Sequence, residues 1–292
     1  MSERIVEGVR LSHPDKVLFP EQGITKSDLA DHYVAVAPHM LPHVAMRPIT
    51  MVRCPTGRQK NCFYQRHAGA GTPRQIEKIV IPGFDNPYLF IRDLPGLIAL
   101  VQIGVLEIHP WGVTADRPGR PDRVIFDLDP GEGTAFRAVA AAAIDVRERL
   151  DALGLVSFVK TTGGKGLHVV LPIEPQHEWA FVKDWAKSLS EQMAADSPDL
   201  YLTRAAKAER VGRIFIDYLR NDPTATAVAP YSTRARRGAP VAMPIDWDQV
   251  GPDLDPALFS VETAADLLAR RKEDPWAGMA RVKQRLPKRP PS

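Results

Sequence analysis

Residues 123–130 read Arg123-Val124-Ile125-Phe126-Asp127-Leu128-Asp129-Pro130, an apolar run that ends in two acids two positions apart. Side chains alternate along a strand, so Asp127 and Asp129 share one face with their Cα atoms about 7 Å apart. Two ionised carboxylates that close repel unless a cation lies between them, which points to hard divalent metal chemistry. After the break at Pro130 to Gly133, Phe136, Val139, Ala143, Val146 and Leu150 recur every three to four residues and predict a helix. Leu155 to Lys160 and Leu167 to Ile173 predict two strands joined by the turn Thr161-Thr162-Gly163-Gly164-Lys165-Gly166. A second helix carries Trp179, Val182, Trp185, Leu189 and Met193, and a strand at Arg213 to Leu219 then brings a third acid, Asp217. The pattern gives an α+β fold, with a mostly antiparallel central sheet flanked by helices.

Ahead of that core, Thr25 and Asp28 stand in cap-like spacing before Leu29, Tyr33, Val36 and Met40, which predicts an amphipathic helix over Thr25 to Met40. From Arg47 to about Val101, short apolar runs broken by Gly and Pro suggest a loop-rich β region. Residues 116–123 hold no apolar side chain and suggest a junction between an N-terminal α/β lobe (1–115), with functional surface loops, and a catalytic lobe (116–286). Val261 to Arg271 and Trp276 to Leu286 are expected to be helical, and residues 287–292 form a basic, proline-bearing tail.

A hydrophobic content of 44% and a charged content of 25% place the 292 residues in the globular range, and a net charge of +3 permits phosphate contact without requiring it. No run of eighteen apolar residues and no apolar leader occur, so a cytoplasmic location and no membrane contact are expected. Cys54 and Cys62 are expected as reduced thiols. No zinc is expected, because with His67 they would still lack a fourth ligand.

Three acids around paired divalent cations suit in-line phosphoryl displacement, and the Thr161 to Gly166 turn suits phosphates, since glycines let backbone N–H groups approach and Lys165 adds charge. It is not a P-loop, because Lys165 is followed by Gly166 and then by a strand. His168 lies two residues beyond the turn, and Arg220, Arg234, Arg236 and Arg237 offer guanidinium groups to a triphosphate. Two other readings share these residues: a two-metal nuclease, and a non-catalytic DNA-end-binding module whose acids serve only structure.

The chain resembles the polymerase domain of bacterial ATP-dependent DNA ligase D, in the archaeo-eukaryotic primase superfamily. The resemblance rests on Asp15-Lys16-Val17-Leu18-Phe19-Pro20, Thr25-Lys26-Ser27-Asp28, Leu106-Glu107-Ile108-His109-Pro110-Trp111, Phe126-Asp127-Leu128-Asp129-Pro130, Thr162-Gly163-Gly164-Lys165-Gly166-Leu167-His168 and Phe215-Ile216-Asp217-Tyr218. It implies a primase-type catalytic core that adds NTP or dNTP to DNA 3′ ends and fills gaps during non-homologous end joining. By the same resemblance, Asp127, Asp129 and Asp217 hold two Mn²⁺ or Mg²⁺ ions, while His109, Thr162, Lys165, His168, Arg220 and Arg236 bind the nucleotide. Lys16 and Lys26 are implied to grip the 5′-phosphate of a broken strand, and Phe63 and Tyr64 to stack beside the template. Thr162 departs from the Ser of many relatives but keeps the hydroxyl, and Tyr64 keeps the ring where some relatives carry Phe. The implied partners are gapped or broken DNA, the Ku protein, and ligase and phosphoesterase modules in cis or trans. The implied location is the bacterial cytoplasm, at the nucleoid.

Overall fold

In the computed structural model of the chain, residues 3–288 are described. The first elements are β1 (Glu3–Val6), β2 (Val9–Ser12), β3 (Val17–Phe19), β4 (Ile24–Thr25), α1 (Lys26–Val44), β5 (Ile49–Arg53), β6 (Phe63–Gln65), β7 (Glu77–Ile79), β8 (Tyr88–Phe90), α2 (Leu94–Gln102) and β9 (Val105–Pro110). There follow β10 (Arg123–Pro130), α3 (Phe136–Ala152), β11 (Phe158–Thr161), β12 (Leu167–Pro172), α4 (Trp179–Asp196), β13 (Tyr201–Leu202), β14 (Ile214–Asp217), β15 (Pro244–Ile245) and α5 (Val261–Arg270). Of the expected tail, residues 289–292 lie outside the described residues.

Two compact units result. One comprises residues up to Trp111 together with Val228–Met243 and Ala257–Asp274; the other comprises Gly112–Ala227, Pro244–Pro256 and the chain from Pro275 onward. The sequence suggests one lobe over 116–286, whereas parts of that span belong with the first unit. Local pairing accounts for it: the Ala229 N–H donates to the Ile108 carbonyl at 2.9 Å and the Val241 N–H to the Phe259 carbonyl at 2.9 Å, and α5 packs on α1.

In the second unit a six-stranded sheet runs β13-β14-β10-β12-β11-β15. Every neighbouring pair is antiparallel except β13 with β14. Strand β10 lies between β12 and β14 and is buried along Arg123 to Phe126, which is why it reads as a continuous apolar run rather than as an alternation. Helix α3 buries Val139, Ala143, Val146 and Leu150, the stripe its periodicity predicts, against β10 and β12. The helix expected over Trp276 to Leu286 does not form: within that stretch only Met279–Arg281 makes a single 3₁₀ turn. There the Trp276 indole N–H donates to the Val159 carbonyl at 3.0 Å. The Gln284 amide donates to the Val156 and Pro172 carbonyls at 2.9 and 2.7 Å, so tertiary bonds hold the segment out of a helix.

In the first unit, α1 begins as the sequence predicts, with Thr25 and Asp28 forming a capping box. Helix α2 falls inside the region expected to be loops and strands. It is capped by Asp93, whose carboxylate accepts from the Gly96 N–H at 2.9 Å, and its Leu97–Val101 run is buried throughout, so no polar face marks the period. Strand β5 pairs with β6, β8 and β9.

The β5–β6 register, Met51↔Gln65, Val52↔Tyr64 and Arg53↔Phe63, brings Cys54 opposite Cys62 as the next pair, and the two are joined in a disulfide. The expectation of two reduced thiols is therefore corrected: the hairpin register, not visible in the spacing, sets the sulfurs side by side. Neither is then a thiolate that could bind zinc. Denatured without reductant, the protein should titrate no free thiol, and Cys62→Ser should lower unfolding stability by about 2–3 kcal/mol for a loop of this length. A count of two free thiols would overturn the pairing.

Candidate active site

One row across the sheet of the second unit brings candidate residues together. Lys160 on β11 is register partner to His168 on β12, His168 to Asp127 on β10, and Asp127 to Asp217 on β14. Partners in one row point to the same face, with neighbouring strands about 4.8 Å apart, so these four polar side chains line up on one side of the sheet. Asp129 lies two residues along β10 on that same face. Lys160, His168 and Asp217 are buried, and Asp129 is half-exposed at its side chain.

The charges are partly compensated within the unit. Asp127 sits 3.3 Å from His168 Nε2 and accepts from Arg220 Nε at 3.1 Å. Arg220 also reaches Asp217 at 3.0 Å, and Arg210 donates to Asp129 at 2.7 Å. Burial would raise the Asp127 carboxyl, but the His168 contact and the Arg220 and Lys160 charges outweigh it and hold the group well below the usual carboxylate range. Asp129 is pushed up by burial and by the Asp127 charge, with Arg210 offsetting only part. Asp217 is pushed up by burial, Arg220 opposing and Asp127 adding to the rise. Burial, with Lys160 nearby, lowers His168 to about 4, so its ring is neutral at physiological pH. Its Nδ1 is buried without a protein hydrogen-bond partner.

Among the described residues no three acid, His or Cys side chains stand together ready to hold a metal ion, and Arg220 and Arg210 pair with the carboxylates. The donor set nonetheless fits a hard divalent cation. Asp127 and Asp217 are register partners and Asp129 lies on the same face two residues along β10; Asp129 and Asp217 are raised by burial and by the negative charge of Asp127.

The Gly-rich turn closes the β11–β12 hairpin. Thr162 N–H and Oγ1 each donate to the Gly166 carbonyl at 3.1 Å, and Gly163 takes φ of 63°, a conformation that suits glycine. Lys165 at the tip is exposed. A Cβ on Gly166 would lie 2.4 Å from the carbonyl oxygen of Leu128, the residue between Asp127 and Asp129. At the other end of the row, Asn221 continues the β10 edge: its side-chain oxygen accepts from the Ile125 N–H and its amide donates to the Ile125 carbonyl, both at 2.8 Å.

The first unit holds the remaining predicted residues. His109, on β9, donates from Nε2 to Glu107 at 2.8 Å, and Arg236 is exposed in the turn that follows Arg234. The Lys26 N–H donates to the Lys16 carbonyl at 2.8 Å, so these two lysines are neighbours. The Lys26 ammonium is buried and donates to the Ser12 carbonyl at 2.8 Å and to the Gln102 carbonyl at 3.2 Å. Phe63 and Tyr64 are not core residues: they stand on β6 at 45% and 72% exposure, with the Arg53 guanidinium over the Phe63 ring at 5.4 Å from its centre. Sequence reasoning missed Lys160, Arg210 and Asn221. For Lys160, alternation with His168 across the predicted hairpin was the available signal.

A sequence model of the LigD primase-polymerase domain matches residues 25–276. The chain belongs to the LigD primase-polymerase family. It is therefore a polymerase of the primase type, a nucleotidyltransferase. It is 37% identical over 292 residues to the multifunctional non-homologous end joining protein LigD of Pseudomonas aeruginosa, covering 98% of this chain and 34% of that protein. Against the LigD of Mycolicibacterium smegmatis it is 33% identical over 273 residues, 90% of this chain and 36% of that protein. The chain thus spans about a third of the length of these relatives. Among solved structures, the polymerase domain of Mycobacterium tuberculosis ligase D in complex with DNA matches with a TM-score of 0.86 at 31% identity, over 95% of this chain and 98% of that one. Among the described residues no helix is long and apolar enough to cross a membrane.

The close approach at Gly166 gives a test of how firmly turn and acids are coupled. Gly166→Ala should lower unfolding stability by roughly 1–3 kcal/mol, because the clashing atom is backbone and cannot swing away. Unchanged urea denaturation would show that the turn stands off the strand.

Proposed function

We propose that the chain extends DNA 3′ ends by nucleotidyl transfer, with Asp127, Asp129 and Asp217 holding two divalent cations, Mn²⁺ or Mg²⁺. The observation that carries this reading is the direct register pairing of Asp127 with Asp217, with Asp129 two residues along the same face. Bound there, the cations would lower the pKa of the attacking hydroxyl and stabilise the leaving oxygen. The protein's own part is then to supply ionised acids and to place the phosphates. Asp127 stays charged at any physiological pH, and Arg220 spans it and Asp217. Thr162, Lys165, His168 and Arg220 are the phosphate ligands of this reading, and His109 and Arg236 are its nucleotide contacts in the first unit. The neutral His168 ring, with its Nδ1 unpartnered, and the glycine-rich turn support a triphosphate over the hydrolytic alternative of a nuclease.

Several finer features rest on kinship with LigD proteins named for non-homologous end joining. They are gapped or broken DNA as substrate, action beside ligase and phosphoesterase modules with the Ku protein, and residence at the bacterial nucleoid. The exposed Phe63 and Tyr64 rings suit stacking on bases, worth about 1–3 kcal/mol per base. Lys16 and Lys26 are the candidates for the 5′-phosphate, and for Lys26 this requires exchanging two carbonyl partners for the phosphate.

With gapped, 5′-phosphorylated DNA, NTP and Mn²⁺, the protein should lengthen the primer. Asp127→Ala or Asp217→Ala should abolish extension while circular dichroism shows the fold retained. Extension that survives in both variants, or primer shortening in place of lengthening, would remove the proposal. In a separate binding measurement, Lys16→Ala with Lys26→Ala should erase the preference for 5′-phosphorylated over 5′-hydroxyl ends, and with it part of the salt dependence. Equal affinity of the wild type for the two ends would withdraw the lysines from that role.

A further inference from the structure

Glu107 is a buried carboxylate that the polymerase reading leaves without a task. It sits on β9 at 6% exposure, closed off from solvent. Three donors converge on it: His109 Nε2 at 2.8 Å, Arg234 Nε at 2.9 Å and the Ala235 backbone N–H at 2.8 Å. Burial alone would raise such a carboxyl, but the His109 hydrogen bond, the Arg234 charge and the Ala235 N–H together bring it down to about 2.

The partners come from two places in the sequence. Residues 107 and 109 lie two apart on one strand and share a face, so Glu107 meets the His109 ring and requires the proton to be on Nε2. Arg234 and Ala235 lie 127 and 128 residues further on, and they reach Glu107 because the segment from Ala229 runs beside β9. That edge is held mostly through side chains. The Ile108 N–H donates to Ser232 Oγ at 2.9 Å, Thr233 Oγ1 donates to the Leu106 carbonyl, and the Ala229 N–H donates to the Ile108 carbonyl at 2.9 Å. Beyond Ala235 the chain turns tightly, the Arg236 N–H donating to the Arg234 carbonyl at 2.7 Å. One carboxylate therefore fixes both the orientation of His109 and the backbone immediately before Arg236.

We infer that Glu107 is a positioning residue for the nucleotide, acting through His109 and the Arg234–Arg236 turn without touching the ligand itself. The inference rests on the proposed polymerase reading, in which His109 and Arg236 meet the nucleotide. A carboxylate serves here better than a neutral acceptor, since bonds to charged groups are stronger and one anion can answer a guanidinium, an imidazole and an amide at once.

The test uses the full chain with ATP, Mn²⁺ and gapped DNA. Glu107→Gln keeps the shape and one acceptor while removing the charge. It should keep the fold but lower the melting temperature, since the Arg234 guanidinium loses its buried anion, and leave DNA affinity close to wild type, yet raise the KM for ATP about tenfold, the loss of one charge-assisted bond, with a smaller change in kcat. Glu107→Ala should raise KM further, and Glu107→Ala combined with His109→Ala should be worse than either single change but clearly less than their product, because part of the Glu107 effect runs through the imidazole and part through the Arg234–Arg236 turn. Full multiplication of the two effects, or a Glu107→Gln protein with wild-type KM, would overturn the inference while leaving the polymerase reading intact. A Glu107→Gln protein that fails to fold would make Glu107 an anchor of the fold alone and would also overturn it. A wild-type protein that neither binds ATP nor extends DNA would bring down both.

Discussion

The structure turns on a single line of side chains across four strands: an ammonium, a neutral imidazole and two carboxylates on Lys160, His168, Asp127 and Asp217. Antiparallel pairing forces these groups together whatever their mutual repulsion, and burial removes the water that would otherwise screen them. The surroundings answer with arginine. Arg220 spans two acids and Arg210 takes the third, so each carboxylate has a guanidinium beside it. Even so, Asp129 and Asp217 remain displaced toward their protonated forms, chiefly by burial and further by the Asp127 charge. Under the proposed reading, divalent cations would answer the carboxylates that the strand alignment brings together.

The elements that build this line were legible in the sequence, and its alignment was not. Strand β10, the β11–β12 hairpin, α3 and α4 each carry their own signal in apolar spacing, and they form where the spacing places them. That Asp127 faces Asp217, far along the chain, is a matter of register, and alternation within one strand says nothing of which residue lies across from it. Cys54 and Cys62 failed for the same reason, since only the β5–β6 pairing reveals them as neighbours. Helix α2 was hidden by the opposite problem: its Leu97–Val101 run is buried on every side, so there is no polar face to show a period. In the stretch after Trp276 a helical pattern was present, but bonds from Gln284 and Trp276 to distant carbonyls outcompeted it.

Glu107 and Asn221 show what the motif-level view leaves out. Each sits beside residues that stand out by type, and each works by completing bonds for a backbone that no regular strand satisfies. Asn221 pairs with Ile125 where β14 has already ended, and Glu107 receives the Ala235 N–H where the β9 edge has no ladder partner. Side chains used in this way carry no periodicity. They become visible only when every buried backbone group is asked where its hydrogen bond goes.

The close approach of Gly166 to the Leu128 carbonyl has a consequence for how this site can change over time. The reach from the glycine-rich loop to the acidic strand is set by main-chain atoms in van der Waals contact, so it does not depend on which side chains decorate the loop. Exchanging Thr for Ser at 162, or altering the exposed tip at 165, changes the side chains of the turn while its span to the carboxylates stays put. Such positions can therefore drift without moving the turn, whereas at 166 even a methyl group must displace strand backbone.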